Sequence, residues 1–325
     1  MTSRSMGLKI LIVTPAAART RSGNLATARR WRRLLNQLGH HTQISGEFLD
    51  QGCDLLVALH AHHSAASALR WRRCRADAPL IVGISGTDLY RDLQRSRGGQ
   101  KAVATADRIV VLQPDGIRWL PEHCRERCRV VFQSVQPRNR TTNRIQRWWQ
   151  VAVVGHLRAV KDPLRTAYAV RDLPGNSRIR VVHLGEALTP GLRSAAEAET
   201  RANRRYQWRG SRRYGDVLET LAGSQLMVLS SRMEGGANVV GESISVQTPV
   251  VASRISGTIG LLGEDYPGFY DVGDTSGLQR MLLAAEGDRE FYQSLMAACA
   301  ERRWQFEPEC ERLAWKNLLA ELELG

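Results

Sequence analysis

The sequence SSRMEGGANVVGE, which ends at Glu242, combines residue types that can hold a phosphorylated ligand. Glu234 is followed by Gly235 and Gly236, and glycines permit backbone angles and close ligand approach that other residues do not. The segment follows an apolar run and enters a predicted helix near Asn238, whose N-terminal N–H groups and dipole suit a diphosphate. Carboxylates beside a phosphate repel it unless they turn toward hydroxyl groups. The pattern therefore predicts a site for a nucleotide sugar, with a solvated turn and a helix-capping Glu as the alternative.

A second polar segment, VVGHLRAVKDP, follows another apolar run and carries positive charge. It contains Gly155, His156, Arg158 and Lys161. Only four of the 46 basic residues of the chain are lysines. A lysine at position 161 of this arginine-rich chain therefore indicates a role that an arginine cannot fill. A surface lysine is the alternative interpretation.

Polar residues also follow three apolar runs of the first half of the chain. They are Arg21, Gly23 and Asn24 in one loop, His60, His62 and His63 in a second, and Thr87 and Asp88 in a third. Three close histidines suggest a metal, but no carboxylate or cysteine stands at ligand spacing from them in the sequence, and we predict no metal site. Thr87 and Asp88 are also good helix N-cap residues, which is the alternative to a binding role.

The elements that position these residues are short apolar runs, nearly all continuous rather than alternating. Such runs are typical of strands buried on both faces of a parallel sheet. Helix patterns lie between them, at 24–38, from a cap at Ser64 to Arg75, and at 309–324 with a stripe of Cys310, Leu313, Leu318 and Leu319. The alternation predicts doubly wound α/β domains. The predicted strands are LKILIV, DLLVAL, PLIVGIS, RIVVLQ and RVVFQSV in the first half, and WQVAVVG, IRVVHLG, YQWRG, QLMVLSS, PVVAS and GFYDV in the second.

The chain of 325 residues is long enough for two domains. Residues 136–150 interrupt the alternation and are predicted to be a linker. We therefore predict an N-terminal domain at 1–145, a C-terminal domain at 146–305 and a closing helix at 306–325. Ligands of such folds bind where the strands end, so the cleft between the two sheets is the expected site.

Composition excludes several classes of protein. The net charge of +14 invites a nucleic-acid interpretation, but no run of basic and aromatic residues with RNA-binding spacing is present, and most of the Arg excess is compositional background. No GxGxxG follows a predicted strand, which disfavours a nicotinamide dehydrogenase. Six cysteines in so long a chain predict thiols rather than disulfides, and Cys124 and Cys128 lack a second pair for zinc. No apolar run is long enough for an integral membrane segment, and we expect a cytoplasmic protein.

The sequence EGGANVVGE resembles the E-x7-E motif of retaining glycosyltransferases of family 4. The resemblance implies the GT-B architecture, in which two Rossmann-like domains face a cleft, and an enzyme that uses a UDP-sugar without a cofactor. It implies that Glu234 contacts the donor sugar and that Glu242 holds the ribose. The intervening backbone amides would contact sugar and phosphate, and these belong to Gly235, Gly236, Ala237 and Asn238.

The segment VVGHLRAVKDP resembles the stretch of the same family that neutralises the diphosphate as UDP leaves. Gly155, Leu157 and Lys161 match the family pattern, whereas His156 stands where the family has Arg. Arg158 follows two positions later, and which of the two meets the diphosphate stays open. The resemblance further implies a cleft-lining His60, donor contacts at Gly257 and Thr258 (or a plain turn there), and an acceptor site at Arg21, Gly23, Asn24, Thr87 and Asp88. We expect the catalytic residues to be Glu234, Lys161, Arg158 and His60.

Within the family, the chain looks like the selenosugar synthases of selenoneine biosynthesis. These enzymes join a sugar from UDP-N-acetylglucosamine or UDP-glucose to selenophosphate, with release of UDP and phosphate, and their product passes to a downstream enzyme. Two alternatives stay open. One is transfer to a hydroxyl acceptor such as a lipid, favoured by the Arg-rich helix at 29–33, and the other is a basic α/β protein that binds anions or nucleic acid.

Overall fold

Each predicted strand overlaps a parallel strand of the structure, a computed structural model that describes residues 7–15, 23–136 and 147–322. In these residues the strands form two six-stranded sheets, and every strand pairing is parallel. The sequence missed one strand, at His41–Ser45, because it lies at a sheet edge and lacks a continuous apolar run. The α/β fold class predicted from the alternation is confirmed.

The first sheet has the order β2-β1-β3-β4-β5-β6. Its register is fixed by pairs such as Ile10 with Thr42 on one side and Ile10 with Leu55 on the other. The strands are β1 Lys9–Val13, β2 His41–Ser45, β3 Leu55–Leu59, β4 Leu80–Gly83, β5 Arg108–Val111 and β6 Cys128–Val130.

The second sheet has the order β12-β11-β10-β7-β8-β9, the arrangement of the dinucleotide-binding Rossmann fold. Its central strand β7 pairs with β8 over six residues, from Trp149 with Ile179 to Val154 with Leu184. The strands are β7 Trp149–Val154, β8 Ile179–Leu184, β9 Tyr206–Trp208, β10 Leu226–Leu229, β11 Val250–Ser253 and β12 Phe269–Tyr270.

Helices cover the faces of both sheets. With the first sheet lie α1 Gly23–Gln37, α2 Ala65–Cys74, α3 Leu93–Arg95, α4 Arg97–Thr105, α5 Glu122–Arg125 and α13 Pro308–Ala320. With the second lie α6 Arg165–Ala169, α7 Pro190–Ala202, α8 Tyr214–Ala222, α9 Asn238–Ser245, α10 Ser256–Leu262, α11 Thr275–Gly287 and α12 Arg289–Glu301. A π-helical turn occupies Asp88–Asp92, and 3-10 turns occupy Pro114–Trp119, Ala159–Lys161 and Arg303–Phe306. None of the helices in the described ranges is long and apolar enough to cross a membrane.

The chain divides into two units, which differ from the predicted domains at the C-terminus. Met1–Ser134 and Pro308–Gly325 form the first unit, and Val135–Glu307 forms the second. The chain therefore leaves the first unit after β6 and returns to it for α13. The helix is part of the first unit rather than a separate closing element.

The helix α13 packs on the first sheet through a face that differs from the predicted stripe. Trp315 is fully buried, and its ring meets that of Trp31 edge-on with a centroid separation of 4.9 Å. Leu318 and Leu319 are buried beside it, as predicted, whereas Leu313 is exposed. The stripe was wrong because the buried turn before Trp315 carries a charged residue, Glu311, which accepts hydrogen bonds from Ser134 and Arg30.

Candidate functional site

The loops after β7 and β10 line one pocket in the second unit. The sheet order reverses between these two strands, and ligands of doubly wound sheets bind at such a reversal, outside the carboxyl ends of the strands. The polar or flexible residues that line the pocket are Gly155, His156, Lys161, His183, Ser230 and Ser231. The two motifs identified in the sequence thus meet at the position where the fold favours a ligand.

The 3-10 turn that carries Lys161 is fastened to the loop after β10. The Ser230 hydroxyl lies within hydrogen-bond distance of two backbone carbonyl oxygens, 3.1 Å from that of Lys161 and 2.9 Å from that of Asp162. The backbone N–H of Arg232 donates to the carbonyl of Val160 at 2.8 Å. Asp162 ends the turn in the left-handed region, with φ 42°. These bonds fix the direction from which the Lys161 side chain leaves the backbone.

The Lys161 ammonium forms an ion pair with the Glu234 carboxylate. It contacts Oε1, and the Ser231 hydroxyl donates to the same oxygen at 2.6 Å. The side chain of Glu234 is 10% exposed and that of Lys161 is 29% exposed. Because the lysine neutralises the carboxylate, an anionic ligand can approach this pocket without meeting an uncompensated negative charge.

The loop that follows Glu234 leads directly into α9. Gly235 is buried, Gly236 is partly exposed, and the helix begins at Asn238 after the N-cap residue Ala237. Ala237 has no polar side chain with which to cap the helix, so the first turn presents backbone N–H groups and the positive end of the helix dipole. Glu242, on the second turn of α9, is partly exposed.

Gly257 and Thr258, at the start of α10, are both buried. A side-chain carbon added at Gly257 would lie 1.9 Å from the Glu234 carbonyl oxygen, so the glycine permits the Glu234 loop to pass close to α10. The Thr258 hydroxyl lies 2.6 Å from the carbonyl oxygen of Ser253 and accepts from the N–H of Ile255. These bonds give Thr258 a helix-capping place inside the protein, and its contact with the donor stays a prediction.

His183 is a pocket residue that sequence reasoning missed. It sits within β8, fully buried, and burial lowers its pKa to about 4, so the ring is neutral near pH 7. Its Nδ1 lies 2.8 Å from the Tyr206 hydroxyl, and its Nε2 lies 3.4 Å from the Gly155 carbonyl. A carbonyl only accepts, so Nε2 carries the proton and holds the Gly155 loop. The signal in the sequence was a histidine near the end of the mostly apolar run IRVVHL.

His156 and Arg158 differ in their surroundings. His156 Nδ1 accepts a hydrogen bond from the backbone N–H of Glu186 at 3.1 Å, which ties the ring to the loop after β8. Arg158 is exposed and precedes the turn that carries Lys161. Arg158 is thus the more accessible of the two side chains.

The structure describes all but one of the predicted acceptor residues of the first unit. Gly23 is exposed and Asn24 partly exposed in the first turn of α1, while Arg21 lies outside the described residues. Thr87 precedes the π-helical turn without a side-chain capping bond.

Asp88 is fully buried and crosses to the loop after β3. Its carboxylate accepts backbone N–H bonds from Ala61 and from His62, the latter at 3.0 Å. Burial raises its pKa to about 7, against the opposing effect of these two bonds. The oxygens of Asp88 are therefore directed at the His60 loop, and its contact with an acceptor stays a prediction.

His60 directly follows β3 and is held beside Asp88. Its Nδ1 lies 3.3 Å from Asp88 Oδ1, and its backbone adopts φ 77°, which is rare for a residue other than glycine. The pKa of His60 is lowered to about 4, chiefly by burial and next by His63. The imidazole is therefore neutral near pH 7 and offers a lone pair to a ligand.

Part of the chain matches a known protein family. Residues 136–295 match the family model described as glycosyl transferases group 1. No significant match is found among curated protein sequences.

Solved structures of similar fold cover nearly the whole chain. Anabaena HepE in complex with UDP and glucose is 15% identical, with a TM-score of 0.74 over 97% of this chain and 100% of its own. Sucrose-phosphate synthase from Thermosynechococcus elongatus is 14% identical, with a TM-score of 0.78 over 97% and 99%. A glycosyltransferase from Rickettsia africae is 14% identical, with a TM-score of 0.73 over 98% of each chain. The protein is therefore a glycosyltransferase of the GT-B fold, with a group 1 domain at residues 136–295.

Proposed function

We propose that this glycosyltransferase is a selenosugar synthase, which transfers a sugar from a UDP-sugar to selenophosphate. The observation that carries the donor half of the proposal is the pair formed by Lys161 and Glu234 at the reversal of the second sheet. The acceptor half rests on the resemblance of the combined motifs to selenosugar synthases.

The donor would bind with its diphosphate near Lys161 and the first turn of α9. Lys161 exchanges its bond to Glu234 for the diphosphate, and the released carboxylate then accepts hydrogen bonds from sugar hydroxyls. Arg158 is the second cation, in preference to His156, whose Nδ1 already accepts the Glu186 N–H. Glu242 holds the ribose. The bound UDP and glucose of Anabaena HepE, a protein of the same fold, support a uridine nucleotide sugar as the donor.

Charge stabilisation is the main source of catalysis in this proposal. As the bond between the anomeric carbon and the diphosphate oxygen breaks, UDP leaves with the electron pair, and Lys161 with the α9 amides stabilises the charge. Selenium supplies the electron pair of the new carbon–selenium bond. Water then cleaves the selenium–phosphorus bond, which gives inorganic phosphate and the selenosugar selenolate. A nucleophile that is already anionic needs no general base.

The test is to incubate the enzyme with UDP-N-acetylglucosamine or with UDP-glucose. Each donor is combined with selenophosphate, with thiophosphate or with no added nucleophile, and UDP release and product mass are followed. We expect UDP release that depends on the selenium or sulfur compound, and a product with the mass of a 1-seleno- or 1-thiosugar. If UDP release never depends on either nucleophile, the selenosugar proposal is rejected, whereas the proposed donor site is not.

The donor site has its own test, a Glu242→Ala variant titrated with UDP by calorimetry. Loss of one charge-assisted hydrogen bond to the ribose should weaken UDP binding about tenfold or more, with the melting temperature little changed. Glu197→Ala is the control, because Glu197 is exposed on α7 of the same unit. Unchanged UDP affinity in Glu242→Ala would show that the ribose lies elsewhere.

A second candidate function is transfer to a hydroxyl group of a lipid acceptor. It is favoured by Arg29, Arg32 and Arg33, which are exposed on α1, since basic helix faces bind anionic membrane surfaces. Sedimentation with vesicles that contain an anionic lipid, compared with neutral vesicles, tests it. Binding to the anionic vesicles that is lost in the triple Ala variant supports this candidate, and the absence of binding rejects it.

A further inference from the structure

A cluster of metal-ligand side chains lies in the first unit, where the sequence pattern predicted none. His60 and His63 flank the loop after β3, and Asp92 is the last residue of the π-helical turn Asp88–Asp92. One ligand atom from each of the three residues lies within 4.8 Å of the other two. We propose that His60, His63 and Asp92 bind a divalent transition-metal ion of the zinc class.

The donor set selects this class of ion. Two imidazole nitrogens and one carboxylate oxygen suit zinc and the neighbouring transition metals, whereas magnesium and calcium take oxygen ligands almost exclusively. His60 Nε2 lies 3.8 Å from Asp92 Oδ2. In a tetrahedral site with bonds of about 2.0–2.2 Å the ligand atoms are roughly 3.3–3.6 Å apart, so a small inward rotation completes the geometry. The side chains that must move are on the surface, since His63 is exposed and Asp92 partly exposed.

The buried ligand is already oriented by a second carboxylate. Asp88 Oδ1 faces His60 Nδ1 at 3.3 Å, and the Asp88 carboxylate is itself held by the backbone N–H groups of Ala61 and His62. The backbone N–H of His63 lies 3.4 Å from the same Nδ1 as a hydrogen-bond donor. A metal ion bound at Nε2 requires the proton on Nδ1, and Asp88 is the acceptor placed to share it. Metal-binding histidines typically donate their other nitrogen to a carboxylate in this way, which fixes the ring and strengthens the ligand.

The backbone at His60 is a second, independent observation. Its φ of 77° is costly for a residue with a side chain, and such conformations concentrate at functional sites. This conformation lets the chain reverse directly after β3 so that His63 lies beside His60, with ring centroids 4.3 Å apart. His62 also lies in this loop, with its ring centroid 4.7 Å from that of His63 and its Nδ1 2.8 Å from the Ser96 hydroxyl.

Three protein ligands leave a fourth position for a small molecule, as in catalytic zinc sites. The cluster lies after β3, next to β1, where the order of the first sheet reverses and a ligand is favoured. The open position would take water or an anionic atom of a substrate. Binding of the ion does not depend on the proposed selenosugar activity, so the two proposals can fail separately.

The experiment is a zinc titration of the full-length enzyme after treatment with a chelator, by calorimetry and by metal analysis of the gel-filtered protein. Substitution by Co²⁺ adds a visible absorption band that reports tetrahedral nitrogen and oxygen ligation. The variants are His63→Ala and Asp92→Asn, and the matched control is His62→Ala, since His62 is equally a surface histidine of the same loop. Thermal melts of the metal-free variants confirm that each is folded.

We expect one zinc per chain in the wild type and in His62→Ala, and a loss of affinity of more than about tenfold in His63→Ala and Asp92→Asn. Asp88→Asn should weaken binding by about 10- to 100-fold without removing a ligand. The proposal is overturned if the wild type binds no stoichiometric zinc, or if His62→Ala loses binding as fully as His63→Ala, which would indicate loose association with surface histidines.

Discussion

The substitution Gly257→Ala tests whether close packing of α10 against the Glu234 loop sets the position of the carboxylate. The added methyl carbon would lie 1.9 Å from the Glu234 carbonyl oxygen, 2.7 Å from its carbonyl carbon and 2.9 Å from its Cβ. Non-bonded carbon and oxygen atoms approach to about 3.3 Å at the closest, so the two segments must separate by roughly 1 Å or more. All three atoms belong to the residue that pairs with Lys161.

A displacement of this size should reduce activity far more than stability. Misplacement of a reacting group by about 1 Å can cost on the order of 100-fold in rate, and overpacking costs about 1–3 kcal/mol of unfolding free energy. We expect kcat/KM, measured by UDP release, to fall by about 100-fold, with the circular dichroism spectrum unchanged and the Tm lowered by several degrees.

The control is Gly191→Ala, in α7 of the same unit, where no atom lies within 4 Å of the added carbon. It should leave kcat/KM unchanged. If Gly257→Ala retains kcat/KM within about threefold of the wild type, the close approach of α10 does not position Glu234, and the reasoning is refuted.

Three further predictions concern other contacts. Lys161→Gln should lower kcat by about 100-fold or more, because it removes the cation that stabilises the leaving group. The control is Lys101→Ala, which removes an exposed lysine on α4 and should leave kcat unchanged. A Lys161→Gln variant with the kcat of the wild type would exclude this role for Lys161. His183 has a folded-state pKa of about 4, below the value of about 6.5 in the unfolded chain, so its contribution to stability is complete above pH 6.5 and is lost as the pH falls toward 4. Urea unfolding of wild type and His183→Gln should therefore give a stability difference that shrinks by about 3 kcal/mol over this range, and a difference independent of pH would contradict the lowered pKa. Trp315→Ala should cost about 3–5 kcal/mol in the same assay, against less than about 1 kcal/mol for Trp304→Ala, whose side chain is 56% exposed; similar costs would show that α13 is not part of the core.

The sequence predicted the strands and the donor loops because both depend on local patterns. Continuous apolar runs mark strands buried on both faces, and the polar segments that follow β7 and β10 meet because parallel strands end at the same edge. The edge strand β2 was missed because its sequence HTQIS carries few apolar residues and only Thr42 is buried. His183 was missed because a polar residue inside an apolar run is read as part of the strand.

The histidine cluster required the fold. Asp92 is far from His60 and His63 along the chain, and the π-helical turn that presents it follows a different strand, β4. The burial of Asp88 also needs the backbone amides of Ala61 and His62, which no pattern of residue types encodes. The predicted buried face of α13 was wrong for a similar reason. The burial of Glu311 depends on hydrogen bonds from Arg30 on α1 and from Ser134, which follows β6.

The return of the chain to the first unit determines the order in which the protein can be completed during synthesis. The second unit is one continuous stretch, Val135–Glu307, so all of its strands have been made before the ribosome reaches Pro308. The first unit, although it begins first, lacks the partner of Trp31 until α13 emerges. The first unit is therefore the last to complete its core. A nascent chain halted before α13 has a complete second unit, whereas Trp31 of the first unit still lacks its partner Trp315.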